Sequence, residues 1–484
     1  MTFLLTNDKP AKDIHIAKEF AEKFSSSCQY KSDPVRPMWY VWNGILWEPD
    51  PFEDLVMRKM ETHLTRRLGE VSRLPPSPSQ KRYVSLYTGS QTYSRIRGII
   101  KIASHNPLIL HHPEEWDMNP HLLNLPNGTY NLQTLKLRPH RREDFITRVT
   151  AVPYTPSILP GSEWEKVVKS KLPSPIIREY FQRYCAYCLY GTCSEDRFIL
   201  IHGPTRSGKT TLCSALESAL GTYAKVLNKT ALLESSEIRG GSHRTDLYQL
   251  RGIRLALCAE ISPDQQLSIQ LMNSLMGGEK LSYRTHYGTE VEWKNTTKLI
   301  LYSNEFPKTQ SAGDAFWARA IAIPFNASLP EDRIDKEIRF RLNDPKKGGP
   351  SVLAWMIAGL PLYHSKGLRD IPPTVIESSR EWKDDSISIV KEWTSAFLKK
   401  GKEKEDKIPS GKLYKLFAAH QQASHVRNIL SYKRFIRDLR SLGFLVGRDS
   451  HNDNWSTIFG VQYRKSLSLS SPKSKKKFRP TSRK

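Results

Sequence analysis

The stretch FILIHGPTRSGKTTL, Phe198 to Leu212, constrains this chain more than any other. An apolar run breaks into a glycine-bounded loop and restarts as a helix-forming run. Gly203-Pro204-Thr205-Arg206-Ser207-Gly208-Lys209-Thr210 fits the pattern G-x-x-x-x-G-K-[ST] in full. The glycines permit a tight loop whose backbone N–H groups converge on one point, and the helix that follows turns its positive end toward the same point. A nucleotide polyphosphate fits there, so ATP and Mg²⁺ are the expected cofactors. Lys209 is spaced to reach the β- and γ-phosphates, Thr210 to ligate the metal, and Gly203 through Thr211 to line the anion. Phe198–Ile201 reads as a strand and Thr211–Leu220 as a helix, which is the context such a loop needs.

Hydrolysis needs more than a phosphate loop. RLALCAEIS, Arg254 to Ser262, reads as an apolar strand that ends in Glu260. At the carboxyl end of a central strand, Glu260 would polarise water and hold the metal through water. KLILYSN, Lys298 to Asn304, reads as a third strand, and its terminal amide, Asn304, could orient that water. In AFWARAIAIPF, Arg319 precedes a further strand; such an arginine can neutralise developing phosphate charge in a neighbouring subunit. Each of these residues also has a bland reading as a surface group, and their order and spacing are what give them weight.

The charge balance bears on partners. With 74 Lys+Arg against 49 Asp+Glu, the formal charge is +25, which favours a polyanion, nucleic acid before acidic membrane. A basic chain that needs only solubility is the alternative. No apolar stretch is long enough to span a bilayer, and MTFLLTNDKPAKD lacks the apolar centre of a secretory signal. A soluble, intracellular, cytoplasmic protein without a membrane partner is expected. Cys185, Cys188 and Cys193 in YCAYCLYGTC have no second ligand pair at zinc spacing, so they read as helix-packing residues.

At this length roughly three domains are expected. Residues 1–150 read as a mixed α/β accessory domain with a helix over Ala11–Phe24 and turns at Asn43-Gly44 and Asn127-Gly128. Residues 151–195 read as a helical collar, 196–370 as an α/β nucleotide domain, and 371–407 as a linker with a helix over Asp384–Lys400. SRLPPSPSQ reads as a loop and IPPT as the start of the linker. In 408–464, SGKLYKLFAAHQ and LSYKRFIRDLRSLG read as helices before a β-wing. The second carries Lys433, Arg434, Arg437 and Arg440 around an apolar stripe of Phe435, Leu439 and Leu442, as either a DNA-recognition helix or a solvated basic helix would. The tail, 465–484, is basic and Ser/Pro-rich and reads as disordered.

GPTRSGKT, LALCAE, GGEKLSYRTHYG, LILYSN and FWARAIAIPF together resemble the motif series of superfamily-three helicases. The nearest likeness is to the viral, plasmid and satellite-phage primase–helicase group that includes the poxvirus primase–helicase. LLNLPNGTYNLQTLKLRPHRREDFITRVTAVPYTP and SVLAWMIAGLPLYHSKGL look like the segments that flank the motor there, and residues 408–464 resemble its winged helix. The likeness covers roughly residues 35 to 465.

The resemblance implies an AAA+-like phosphate-loop ATPase core, an N-terminal mixed α/β accessory domain and a C-terminal winged-helix domain. It implies a homohexameric ring acting on single-stranded and forked DNA with 3′→5′ polarity. Carried over residue by residue, Lys209 and Thr210 take the phosphate and metal roles, Glu260 the catalytic acid, Asn304 the sensor and Arg319 the trans-acting finger. The family's finger is often a pair of arginines; here Ala320 follows Arg319. The acid, Glu260, also stands alone. A pore hairpin is implied over Leu281–Lys294, with Lys280 and Arg284 on phosphates and His286 and Tyr287 at the tip on sugar or bases. About 35 residues precede the Met38 hairpin, too few for a primase–polymerase fold, so a separate primase or polymerase is an expected partner. Two further readings fit the same features: an ATP-switched replication initiator or loader without processive unwinding, and an RNA-directed motor.

Overall fold

The computed structural model describes residues 12–234, 245–261, 265–284, 290–307, 309, 312–327, 335–401, 405–423, 429–449 and 455–464. It divides into two compact units, one of residues 1–307 with 314–379 and one of 308–313 with 380–484.

The first unit opens with an α/β lobe. Helix α1 (Asp13–Phe24) buries Ile16, Ala17, Phe20 and Ala21, one face of a 3.6-residue period. Strands β1 (Cys28–Lys31), β2 (Met38–Trp42) and β3 (Trp47–Asp50) form an antiparallel meander. Its tight turn forms because Asn43 Oδ1 accepts from the N–H groups of Ile45 and Leu46, both at 2.9 Å, and Gly44 takes φ +96°. Helices α2 (Asp54–Ser72), α3 (Pro78–Gly89) and α4 (Tyr93–Ala103) follow, and β4 (Leu110–His111) joins β1 in parallel. The loop expected over Ser72–Gln80 is shorter than its composition suggests. Ser77 caps α3, accepting from Gln80 N at 3.0 Å, and Pro78 takes the first helical position, where its missing N–H costs nothing.

A second meander, β5 (Leu122–Leu125), β6 (Gly128–Asn131) and β7 (Lys136–Arg138), turns at Pro126-Asn127, and Gly128 opens β6. Buried Asn124 joins it to its surroundings, donating to Ile45 O at 2.9 Å and accepting from Thr129 Oγ1 at 3.1 Å. Helices α5 (Glu163–Lys171) and α6 (Pro175–Tyr187) come next. Cys185 and Cys188 are buried in the same apolar cluster as Tyr184, Leu189 and Leu212.

The centre of the unit is a parallel sheet. Its strands, in chain order, are β8 (Phe198–His202), β9 (Ala224–Leu227), β10 (Leu255–Ala259), β13 (Lys298–Ser303) and β14 (Ala320–Pro324), and their spatial order is β14-β8-β13-β10-β9. Helix α7 (Lys209–Leu220) follows β8, and α8 (Thr245–Tyr248) and α9 (Ile269–Met276) flank β10. Strands β11 (Lys280–Arg284) and β12 (Glu290–Lys294) pair as an antiparallel hairpin. Helices α10 (Asp314–Trp317), α11 (Ile338–Asn343), α12 (Gly349–Ala358) and α13 (Leu360–Lys366) complete the layer. Phe198, Ile199, Leu200 and Ile201 are all fully buried; each contributes about 1.5–3 kcal/mol of apolar burial, so β8 holds the phosphate loop on a rigid base.

Two buried cations seal the amino ends of these strands. Arg254 donates to Leu122 O at 2.6 Å and to Leu189 O, and stacks 4.4 Å over Tyr223. Lys298 donates to Thr296 O at 2.9 Å, Thr192 O at 3.2 Å and Tyr190 O; burial pushes its pKa down to about 8. Both serve the carbonyls just past α6, where a helix end is electronegative.

Helix α14 (Pro373–Phe397) starts well before the expected Asp384, again with a proline in its first turn, and gives way at β15 (Leu398–Lys400). The boundary between the units falls inside this helix. In the second unit β16 (Lys407–Pro409), α15 (Ser410–Ala423), α16 (Tyr432–Ser441), β17 (Leu445–Asp449), β18 (Trp455–Phe459) and β19 (Val461–Tyr463) follow. A core of Trp393, Leu413, Phe417, Phe435, Leu439 and Ile458 binds them. The whole is a mixed α/β protein with a parallel sheet.

Candidate functional site

The G-x-x-x-x-G-K-T loop runs from the carboxyl end of β8 into α7. Gly203 (φ +145°) and Gly208 (φ +91°) both need the freedom that glycine has. A Cβ on Gly203 would drive into the Phe325 carbonyl. Ser207 is fully buried, while Pro204, Thr205, Arg206 and Thr210 are exposed and Thr211 is half-buried. Lys209 folds back into the loop. Its ammonium donates to Gly203 O at 2.7 Å, Pro204 O at 2.9 Å and Ser207 Oγ at 3.2 Å. Burial holds its pKa below the usual lysine value. A cation held by loop carbonyls can exchange them for a stronger acceptor, so this loop is a preformed anion cradle.

The sheet register brings three of the sequence-selected residues together. Glu260 follows the last residue of β10, and its N–H donates to Tyr302 O at 3.0 Å. Asn304 follows the last residue of β13. Because β13 lies between β10 and β8, Glu260, Asn304 and Gly203 sit at the carboxyl ends of adjacent parallel strands, where ligands bind in open α/β sheets. Both side chains are exposed. Glu260 holds φ +54°, a left-handed conformation that costs a non-glycine residue of order 1 kcal/mol and gathers at functional sites. Thr210 and Glu260 offer oxygen ligands of the kind Mg²⁺ takes.

Arg319 is not at this edge. It precedes β14, whose first residue pairs with Phe198, and so lies at the amino ends of the strands. Five residues of strand, of the order of 15 Å, separate it from the loop of the same chain. Its guanidinium donates to Asn273 Oδ1 at 3.3 Å and lies 3.9 Å from Asp196.

Lys280 is exposed at the base of the hairpin, 3.3 Å from Glu292. Arg284 ends β11 with its side chain outside the described residues, where His286 and Tyr287 also lie. On α16, Phe435 and Leu439 are fully buried while Lys433, Arg437 and Arg440 are exposed; Arg437 lies 3.8 Å from Asp438. The Arg434 side chain is outside the described residues.

The sequence offered no signal for two neighbours of the loop. His202, the residue before Gly203, sets its Nε2 2.5 Å from Ser378 Oγ and its ring 4.4 Å from Phe306; burial brings its pKa down to about 4. Lys171, at the end of α5, packs its stem across Gly208.

Residues 17–173 match the family model described as D5 N terminal like. The chain is 27% identical over 212 residues to "Putative helicase L207/L206" of Acanthamoeba polyphaga mimivirus, an alignment covering 43% of this chain and 22% of that protein. It is 26% identical over 221 residues to "Putative helicase 121R" of Invertebrate iridescent virus 3, covering 44% of this chain and 23% of that protein. The chain therefore spans less than a quarter of the length of these relatives. Among solved structures, the apo form of the NrS-1 C terminal region aligns over 93% of this chain and 100% of that one, at 12% identity and a TM-score of 0.45. Among the described residues no helix is long and apolar enough to cross a membrane.

Proposed function

We propose, for a chain that resembles the viral D5-like primase–helicases, that it is an ATP-driven replicative DNA helicase whose catalytic sites are shared between subunits of a hexameric ring. In this reading residues 196–370 are an AAA+-like motor and residues 408–464 a winged helix. The observation that carries it is the split of the catalytic set across the sheet. The phosphate loop, Glu260 and Asn304 share the carboxyl edge, while Arg319 lies at the opposite edge. An arginine that far from its own loop can complete a site only in another copy.

The loop amides and Lys209 bind the phosphates of ATP. Thr210, and Glu260 through water, would hold Mg²⁺, which when bound would neutralise phosphate charge. Glu260 polarises the attacking water and Asn304 orients it. Arg319 of the adjoining subunit stabilises the charge that develops on the γ-phosphoryl group. The hairpin of β11 and β12, with Lys280 and Arg284, tracks one DNA strand, and Lys433, Arg434, Arg437 and Arg440 contact duplex phosphates.

Forked-duplex unwinding tests this reading. Lys209→Ala should abolish both nucleotide binding and strand separation. Glu260→Gln should keep nucleotide binding while turnover falls by roughly 10²- to 10⁴-fold. DNA binding and ATP turnover by the wild-type chain without strand separation would favour the initiator or loader instead.

A further inference from the structure

Lys171 is the last residue of α5, yet its side chain belongs to the phosphate loop. A Cβ placed on Gly208 would meet Lys171 Cε at 2.8 Å and Cδ at 2.9 Å. The residue is 8% exposed. Among the described residues its ammonium has neither a hydrogen-bond acceptor nor a carboxylate partner, and its Nζ keeps access to water. Burial alone shifts its pKa, downward. Its stem is buried while its head meets only water, and it adjoins the positive end of α7, where an anion is favoured. Lys209 differs, since three loop oxygens satisfy it. Arg341 on α11 differs too, bound to Glu163 and Asp335. A cation with no protein partner of its own, its stem laid across Gly208 of the loop, is placed to share the anion that the loop takes.

We propose that Lys171 is a second phosphate-binding cation of the nucleotide site, delivered by the helix that precedes the motor. Its ligand is the polyphosphate chain of a nucleoside di- or triphosphate, whose oxygens supply the missing acceptors. The inference rests on the ATP reading above and adds a residue to that site. It also gives nucleotide a direct hold on α5, which lies within the segment matched to the D5 N terminal like model.

The test uses the full chain and a fluorescent ATP analogue with Mg²⁺, inorganic tripolyphosphate as competitor, and melting without ligand. Lys171→Met keeps most of the stem and removes the charge. Affinity for both ligands should fall roughly 10- to 100-fold, the range of one charge-assisted hydrogen bond. The ligand-free variant should melt at the wild-type temperature or above it, because the ammonium has no protein partner to lose. Unchanged affinity would overturn the proposal, as would weaker binding with a lower ligand-free melting temperature, which marks a packing role. Lys209→Ala separates the two readings. If that variant loses the analogue while Lys171→Met binds as wild type does, Lys171 alone is wrong. If the wild-type chain binds neither ligand, the ATP reading falls and the role of Lys171 with it.

Discussion

Acidification below neutrality should cost this protein stability through one imidazole beside the phosphate loop. His202 ends β8, and burial next to Phe306 and Ser378 brings its pKa to about 4 from the ordinary 6.5, with the Lys209 charge acting in the same direction. Between those values the unfolded chain binds a proton that the folded chain refuses. Stability is therefore fully present above 6.5, falls as the pH drops toward 4, and falls no further below that through this group. At ~1.4 kcal/mol per pH unit, the gap between 6.5 and about 4 amounts to at most about 3.5 kcal/mol. The assay is urea unfolding of wild type and His202→Gln from about pH 7 to about pH 4.5, using the difference between them to remove the other titrating groups. Glutamine keeps a polar group for Ser378 and cannot take up the proton. Over this range the wild type should lose about 2–3 kcal/mol more than the variant. Stability curves that stay parallel within about 0.5 kcal/mol would show that His202 is protonated in the folded state and refute the reasoning.

Three further outcomes are expected. Glu19 accepts from Arg67 and Tyr87 and lies 3.5 Å from His63, and these partners hold its pKa at about 2 despite burial. Its contribution is full above the ordinary 4.5 and is lost as the pH falls through 2, and at neutral pH Glu19→Gln should destabilise the N-terminal lobe by about 1–3 kcal/mol in chemical unfolding. Gly203→Ala, which forces a Cβ into the Phe325 carbonyl at φ +145°, should cost about 1–3 kcal/mol and remove nucleotide binding, as titration with the ATP analogue would show. Replacing Lys280, or Lys433 with Arg437, should lower the slope of log affinity against log salt by about one for each DNA phosphate left without its cation; an unchanged slope would mark those lysines and arginines as solvated surface.

The outline of the parallel sheet and its glycine-bounded loop was legible because its signals are local. A buried parallel strand is a short apolar run, and the residue at its end lies at the sheet edge whatever the rest of the chain does, so Glu260 and Asn304 could be placed beside the loop from their spacing alone. The helices α2 to α4 were not legible in the same way. The buried face of α2 includes His63 and Arg67, of which Arg67 donates to Glu19 and His63 lies 3.5 Å from the same carboxylate, and a polar residue on the core face blurs the apolar period. Pro78 and Pro373 read as breakers, yet each lies in a first helical turn, where the missing N–H costs nothing. Lys171 and His202 carry no pattern at all, because their roles come from neighbours distant in sequence. The basic residues of α16 show the opposite limit: the stripe of Phe435 and Leu439 fixes which face is covered, but the exposed face has the same composition whether it meets DNA or water.

Mixing two inactive variants tests the shared site most directly. Lys209→Ala retains Arg319 but has no working loop, and Arg319→Ala retains the loop but has no finger. In a randomly mixed ring about a quarter of the interfaces join an intact loop to an intact finger, so ATP turnover should return to about a quarter of the wild-type rate. Turnover that stays at the level of the separate variants, or an Arg319→Ala chain that hydrolyses ATP at the wild-type rate alone, would contradict a site completed by the neighbouring subunit.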